Sequence, residues 1–265
     1  MNSMLSTRIH PLAVVDPAAQ IGAGVTVGPF SVIGPDVTLQ DGVEVKSHAV
    51  VTGWTDVGAG TVIFPHATVG EVPQDLKYRG ERTRLIVGER CRIREGATLN
   101  TGTEGGGGVT QVGDDCLLMT GSHVGHDAKL GSRVILANQV AIAGHCQIGD
   151  DVIIGGLSGI HQWVRVGQGA IIGAVTMVTN DVIPYGLVQG PRGELDGLNL
   201  VGLKRRGTDR VDIQALRAAY DVLAKGDGTF LDRVRLVAET ATSAQVLEMT
   251  AFILGGSDRS FLTPK

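Results

Sequence analysis

Four of the chain's seven histidines, His123, His126, His145 and His161, fall between positions 123 and 161. His126 is followed directly by Asp127. A carboxylate beside an imidazole can hold it in one tautomer and stabilise its charged form, which is what a general base requires. A histidine standing alone at a surface corner is an ordinary polar residue; the clustering and the adjacent carboxylate point to chemistry. Eighteen residues beyond His126 is Gly144, followed by His145. A glycine amide there, with no side chain in the way, can approach a developing oxyanion closely.

The spacing of eighteen takes its meaning from the pattern around it. An aliphatic residue occupies every sixth position from Ile9 to Val69, again at Val87, Ile93 and Leu99, and again from Val112 to Val178, twenty-six positions without exception. Such hexads are the mark of a parallel β-helix, in which each hexad is a short strand plus a corner and three hexads close one coil. Residues eighteen apart then stack about 4.8 Å apart, like neighbours in a parallel sheet. Within a hexad such as Ile21 to Thr26, the first residue points inward and the small or β-branched residue four positions on fills the same interior. Glycine directly follows the aliphatic residue in thirteen of the twenty-six hexads. The expectation is that these are corners demanding backbone angles that a β-carbon resists.

Two breaks interrupt the array. The first, about 70–86, carries Glu71 to Glu81, polar and proline-bearing; the second, 101–111, holds four successive glycines, Gly105 to Gly108. Both read as loops leaving the wall, where a rigid scaffold usually places its binding residues. After Val178 the pattern ends at Pro184 and helix signals follow. Thr208 and Asp209 can cap a helix with an apolar side of Val211, Leu216, Tyr220 and Leu223 ending at Gly226, and Thr229 and Ser243 offer two more starts. The reading is mainly β: a parallel β-helix over 9–190 and a C-terminal α-helical domain over 191–265 that caps the open end of the prism.

Composition sets bounds. No apolar run approaches a membrane span, and residues 1–8 carry no leader-like stretch, so a cytoplasmic protein is expected. Cys91, Cys116 and Cys146 have no metal or redox spacing and are expected to be inert packing. A net charge of −4 gives no general nucleic-acid signal. Between Glu71 and Glu95, seven basic residues stand against five acids, a local excess that could meet an acidic partner.

From Ile9 to the C-terminus the chain resembles the UDP-N-acetylglucosamine O-acyltransferases that open lipid A biosynthesis. The resemblance rests on Gly70 to Tyr78, on Gly102-Thr103 with Gly105 to Gly108, on His123-Val124-Gly125-His126-Asp127, on Gly144-His145, on Ile160-His161-Gln162 and on Gly202 to Gly207. It implies a left-handed helix, a homotrimer with sites between neighbouring prisms, and no cofactor or metal. The implied reaction moves an (R)-3-hydroxyacyl group from acyl carrier protein to the 3-hydroxyl of UDP-N-acetylglucosamine. It also implies His126 as general base oriented by Asp127, with the Gly144 amide binding the oxyanion. Gln74, Asp75 and Lys77 would contact the substrates, and His123, His145, His161 and Gln162 would position them. Asn199, Arg205 and Arg206 would hold the nucleotide; paired arginines suit a diphosphate because the guanidinium fork matches phosphate oxygens. Ala174 would close the acyl groove, giving a chain of intermediate length.

Two departures bear on the acceptor. Asn100 stands where the family often has histidine, and Val201 where it has an acidic residue. The amide at 100 raises the alternative of a UDP-sugar bearing an amine at carbon 3. The pathway's 2-amino acyltransferase carries an additional N-terminal domain, and here the repeat begins at Ile9. A γ-type carbonic anhydrase is a different class, with His123, His126 and His145 as zinc ligands, but it would leave the nucleotide segment without purpose. A non-catalytic scaffold would bind no UDP-sugar.

Overall fold

The computed structural model describes residues 6–257 and 259–264. Strands mostly two residues long build sheets of eleven, nine and eight members, the three walls of a prism, parallel throughout except for the last strand of the first. The first wall starts at Arg8–Ile9, the second at Val14–Val15 and the third at Gln20–Ile21, and the chain cycles through them in that order. Ile9 pairs with Val27 and Val15 with Ile33, the expected eighteen-residue register. From Val27 onward the hexad aliphatics are buried, Ile63, Leu99, Leu118, Ile142 and Ile154 completely, and Val25, Val43, Val134 and Val152 fill the core from the fifth hexad position.

The glycine expectation is corrected. Apart from Gly70, the glycines after the aliphatic residue do not adopt positive φ. They are needed because successive coils touch there: a β-carbon on Gly58 would lie 2.5 Å from the backbone of Gly88, and one on Gly113 would lie 2.6 Å from that of Gly131. The left-handed conformation falls instead on the fourth residue of the hexad, where non-glycine side chains accept it, among them Phe30, His48, Asp127, His145 and Trp163. Such positions are uncommon for residues with a β-carbon.

Both breaks leave the wall at the corner between the second and third sheets. Register rises from eighteen to thirty at the first, Ile63 facing Ile93, so twelve residues depart without disturbing the hexad phase. It rises to twenty-five at the second, Ile93 facing Leu118, so seven depart and the phase shifts. The chain re-enters the third wall at Arg84 and at Val109, earlier than the aliphatic count indicates. The two loop stems stack: Thr101 N donates to Glu71 O (3.0 Å) and Gly102 N to Arg84 O (3.3 Å). Part of the basic excess between 71 and 95 is engaged in ion pairs, Arg84 with Asp56 (2.6 Å), Arg90 with Asp115 (2.8 Å) and Arg94 with Glu95 (3.0 Å). The three cysteines are free and buried, and burial pushes the Cys146 thiol up to about 12.

The last coil ends in an antiparallel hairpin, Gly186–Gln189 against Glu194–Leu198. Four helices follow: α1 (Leu200–Arg205), α2 (Arg210–Lys225), α3 (Phe230–Thr240) and α4 (Ala244–Leu254). The three signalled helices start after Asp209, Thr229 and Ser243; at Thr229 a reciprocal capping box with Asp232 satisfies two orphan amides. The apolar face of α2 is Ile213, Leu216, Ala219 and Leu223, whereas Val211 is 75% exposed and does not belong to it. The helix α1 and the hairpin precede the first helix-capping signal, at Thr208 and Asp209. Returning chain covers the final strand edges, Arg192 bridging Met177 and Phe261 bridging Asp181, which removes templates for pairing with other molecules. Arg165 joins the two parts, pairing with Asp181 (2.7 Å) and lying over the ring of Phe252 in α4 (4.6 Å).

Candidate active site

His126 and Asp127 occupy the corner between the second-wall strand His123–Val124 and the third-wall strand Lys129–Leu130. Asp127 is one of the left-handed fourth-position residues (φ 60°), and this geometry turns its carboxylate back under the second loop. His126 Nδ1 lies 2.8 Å from Asp127 Oδ2, with both side chains buried. The same carboxylate accepts from Thr103 N (2.9 Å) and Thr103 Oγ1 (2.6 Å), and Asp127 N donates to Thr110 Oγ1 (2.7 Å). Hydrogen bonds of this kind fix the carboxylate's direction. The glycine-rich loop has a steric reason as well: a β-carbon on Gly106 would sit 2.1 Å from Asp127 Cγ.

With Nδ1 committed to Asp127, the proton-accepting nitrogen is Nε2, which meets no partner among the described residues. Gly144 stacks directly beyond it; a β-carbon there would lie 2.6–2.7 Å from His126 Cε1 and Nε2, so glycine is what leaves room for the ring. The Gly144 amide donates no hydrogen bond among the described residues, because the third hexad position lies outside the ladder: Ala143 N donates to Ile160 O and His145 N to His126 O. A base and an unpaired N–H donor therefore face one cleft of about 470 Å³, lined also by Gln74, Asn100, His123, His161, Gln162 and, at its apolar end, Ala141, Gly159 and Met177.

A second hollow of about 230 Å³ lies on the other side of the dyad, under the first loop, and takes Asp75, Lys77, Tyr78, Thr103, His145 and Trp163. His145 meets His126 edge-on (centroids 4.9 Å apart) and stacks flat on Trp163 (3.8 Å, 5°). Burial holds the His145 imidazole below its ordinary value despite the pull of Asp127, 3.7 Å away. Burial, and then the charge of His126, lowers His123 in the same direction; its Nδ1 pairs with Thr98 Oγ1 (2.8 Å). Arg259 donates to His161 Nδ1 (2.8 Å). Asn100 spends its amide hydrogens on the carbonyls of Val72 (3.0 Å) and Glu71 (3.3 Å), and its buried Oδ1 has no partner.

The remaining candidates lie elsewhere on the prism. Asn199 donates to Gly169 O (2.9 Å) and caps α1 at Gly202 N (2.9 Å), and Arg206 reaches the same Gly169. Gly169 is at the corner between the third and first walls, a different corner from His126, and Arg205 is exposed beside it. Ala174 is exposed at the corner between the first and second walls. Sequence reasoning gave no role to Thr103, Thr110 or Trp163, whose contacts all cross from one coil or loop to another. For zinc, the donors that converge within 4.8 Å are those of His126, Asp127 and His145, and His123 is outside that group.

Residues 181–262 match the family model described as UDP N-acetylglucosamine O-acyltransferase, domain 2, and residues 18–53 and 110–144 match the bacterial transferase hexapeptide model. An acyl-(acyl-carrier-protein)–UDP-N-acetylglucosamine O-acyltransferase of Paracoccus denitrificans is 65% identical over 262 residues, covering 98% of this chain and 99% of that protein. One of the same name from Rhizobium johnstonii is 48% identical over 260 residues, covering 98% and 96%. The solved UDP-N-acetylglucosamine acyltransferase from Campylobacter jejuni superposes with a TM-score of 0.92 at 34% identity, covering 97% of this chain and all of that one.

Proposed function

Since the chain belongs to the UDP-N-acetylglucosamine O-acyltransferase family, we propose that His126 is the general base in transfer of a 3-hydroxyacyl group from acyl carrier protein to the 3-hydroxyl of UDP-N-acetylglucosamine. The observation that carries this is the meeting of the carboxylate-held imidazole and the unpaired Gly144 amide in one cleft. His126 Nε2 takes the hydroxyl proton as the sugar oxygen attacks the thioester carbon. The Gly144 N–H binds the tetrahedral oxyanion, and Asp127 stabilises the imidazolium. Collapse forms the ester, breaks the carbon–sulfur bond and returns the proton from His126 to the departing thiolate.

The acceptor is read as a hydroxyl. The relatives above are named O-acyltransferases, and Asn100 uses its hydrogens to tie down the first loop, which explains its presence without an amine. Family membership also displaces the zinc-hydrase and scaffold readings.

The site is completed by a second copy. Asn199, Arg205 and Arg206 would hold the nucleotide yet sit at a corner remote from His126, so one chain's nucleotide corner serves its neighbour's base. Outward positions support this packing: the first wall presents half-buried Leu117, Ile135, Ile153, Ile171 and Leu187 in one ladder, whereas the third presents Gln111, Lys129, Gln147 and Arg165. A homotrimer acting in the cytoplasm accommodates these features, and no described helix is long and apolar enough to cross a membrane.

The test is an assay of the purified protein with 3-hydroxyacyl carrier-protein thioesters and UDP-N-acetylglucosamine, following free thiol and product mass. His126→Ala should lower turnover about 10²–10⁴-fold, the usual size of a general-base effect, with oligomeric state and UDP-sugar binding retained. A variant keeping more than about a tenth of the parental rate refutes the base assignment.

A further inference from the structure

His161 is fixed from outside the repeat. Its amide donates to Val178 O (2.9 Å) in the second wall, and its ring lines the same cleft as His126 and Gly144. The ring's Nδ1 meets Arg259 Nη2 at 2.8 Å, a contact that spans 98 residues of chain. Arg259 lies beyond α4, on a tail bound to the end of the last coil. Asp181 N donates to Ser260 O (2.9 Å), Leu262 N to Asp181 O (2.8 Å) and Arg259 Nη1 to Thr179 O (3.0 Å). Phe261 packs with the rings of Phe230 and Phe252, centroids 6.2 and 6.1 Å away. The guanidinium is thus placed by the helical domain.

The pairing decides a tautomer. A guanidinium has donors only, so Nδ1 must accept, and the ring proton of neutral His161 sits on Nε2. A second contact competes: Gln162 O lies 3.2 Å from the same Nδ1 and would require the proton there. Arg259 excludes the arrangement that the local backbone offers. His126 is the inverse case, since its Nδ1 donates to Asp127 and its Nε2 is left to accept. One cleft then holds two imidazoles of opposite polarity.

We infer that Arg259 is a positioning residue for acyl transfer: it holds His161 with the proton on Nε2, as an N–H donor to an oxygen of the thioester substrate and not as a second base. The substrate half of this rests on the acyl-transfer reading; the tautomer half does not.

Nitrogen-15 spectra of histidine-labelled protein at pH 8.5, with the His161 signals identified by their loss in His161→Gln, read the tautomer. The parent should show a protonated Nε2 and a bare Nδ1. Arg259→Met, an uncharged stem without a donor, should show the reverse as Nδ1 turns to Gln162 O. A protonated Nδ1 in the parent, or an unchanged tautomer in folded Arg259→Met, overturns the inference; should that variant fail to fold, the parent spectrum alone decides. In the assay, Arg259→Met should lower kcat/KM for the 3-hydroxyacyl thioester about tenfold, the size of one lost hydrogen bond, with KM for UDP-N-acetylglucosamine within about twofold of the parent. In a His161→Gln background the same substitution should change kcat/KM no further. Losses that multiply would mean that Arg259 acts through the tail at large, and would overturn the role assigned to it. A parent inactive with every thioester instead defeats the acyl-transfer reading and the substrate half with it, while the spectra still read the tautomer.

Discussion

His66 and Asp127 occupy the same place in the repeat and share one backbone conformation, with φ of 63° and 60°. Their surroundings differ completely. His66, at the corner between the first and second walls, is exposed and belongs to a column of rings, Phe30, His48 and His66, with centroids 5.0 and 5.2 Å apart. Asp127, at the corner between the second and third walls, is buried beneath the seven-residue excursion and receives three hydrogen bonds from Thr103 and His126. The repeat thus supplies equivalent platforms, and a loop that roofs one of them converts a surface position into a desolvated, fully bonded one. Desolvation strengthens the interaction between the carboxylate and the imidazolium that forms beside it.

The comparison is broken most directly by charge. Asp127→Asn preserves shape but removes the negative partner of His126, and turnover should fall about 10²–10⁴-fold, while His66→Ala should stay within about twofold of the parent, as expected of an unroofed corner. Steady-state rates of the two variants decide it; equal losses would mean that the corners are not functionally distinct.

A smaller effect separates wall from roof. A methyl group on Gly113 collides with the adjoining coil, whereas one on Gly105 in the roof meets nothing within 4 Å. Gly113→Ala should cost about 1–3 kcal/mol, the usual penalty of overpacking, and Gly105→Ala close to nothing. Denaturant midpoints at constant slope measure both, and a neutral Gly113→Ala would remove the coil-contact explanation for these glycines.

The smallest effect concerns pH. Burial depresses His123 and His145, so on acidification the unfolded chain takes up protons before the folded one does. Stability contributed by the neutral imidazoles is therefore complete above the ordinary histidine value of about 6.5, declines below it, and stops declining beneath the folded-state values. Calorimetric Tm values at pH 7.5, 6.5 and 5.5 should show that decline, shallower in His123→Gln; parallel curves would exclude His123 as a contributor.

Much of this was legible in the chain because hexad burial is periodic and repeated, and each aliphatic residue independently reports the same wall. The pairing of His126 with Asp127 was legible because the two are adjacent. The strain positions were not: charged, aromatic and aliphatic residues all occupy the left-handed fourth place, so composition does not mark it, and glycine at the second place answers a contact with another coil. Thr103 and Thr110 reach Asp127 across 24 and 17 residues, through loop paths that no local pattern specifies. The separation of Arg206 from His126 depends on which corner Gly169 occupies, knowable only once register was counted through both excursions.

Those excursions depart from adjacent coils at one corner and return to an undisturbed third wall. A stacked coil interacts only with its immediate neighbours, so its stability is a local matter. Such an architecture separates two kinds of inheritance. Residues in the walls are tied to a lattice and change only in kind, while residues in the excursions are free to change in number, since a gain or loss there alters the count of residues between paired strands but not which strands stack. New specificity can therefore be acquired at the roofed corner without renegotiating the fold, and the dyad beneath it would retain its geometry while the substrate it serves diverges.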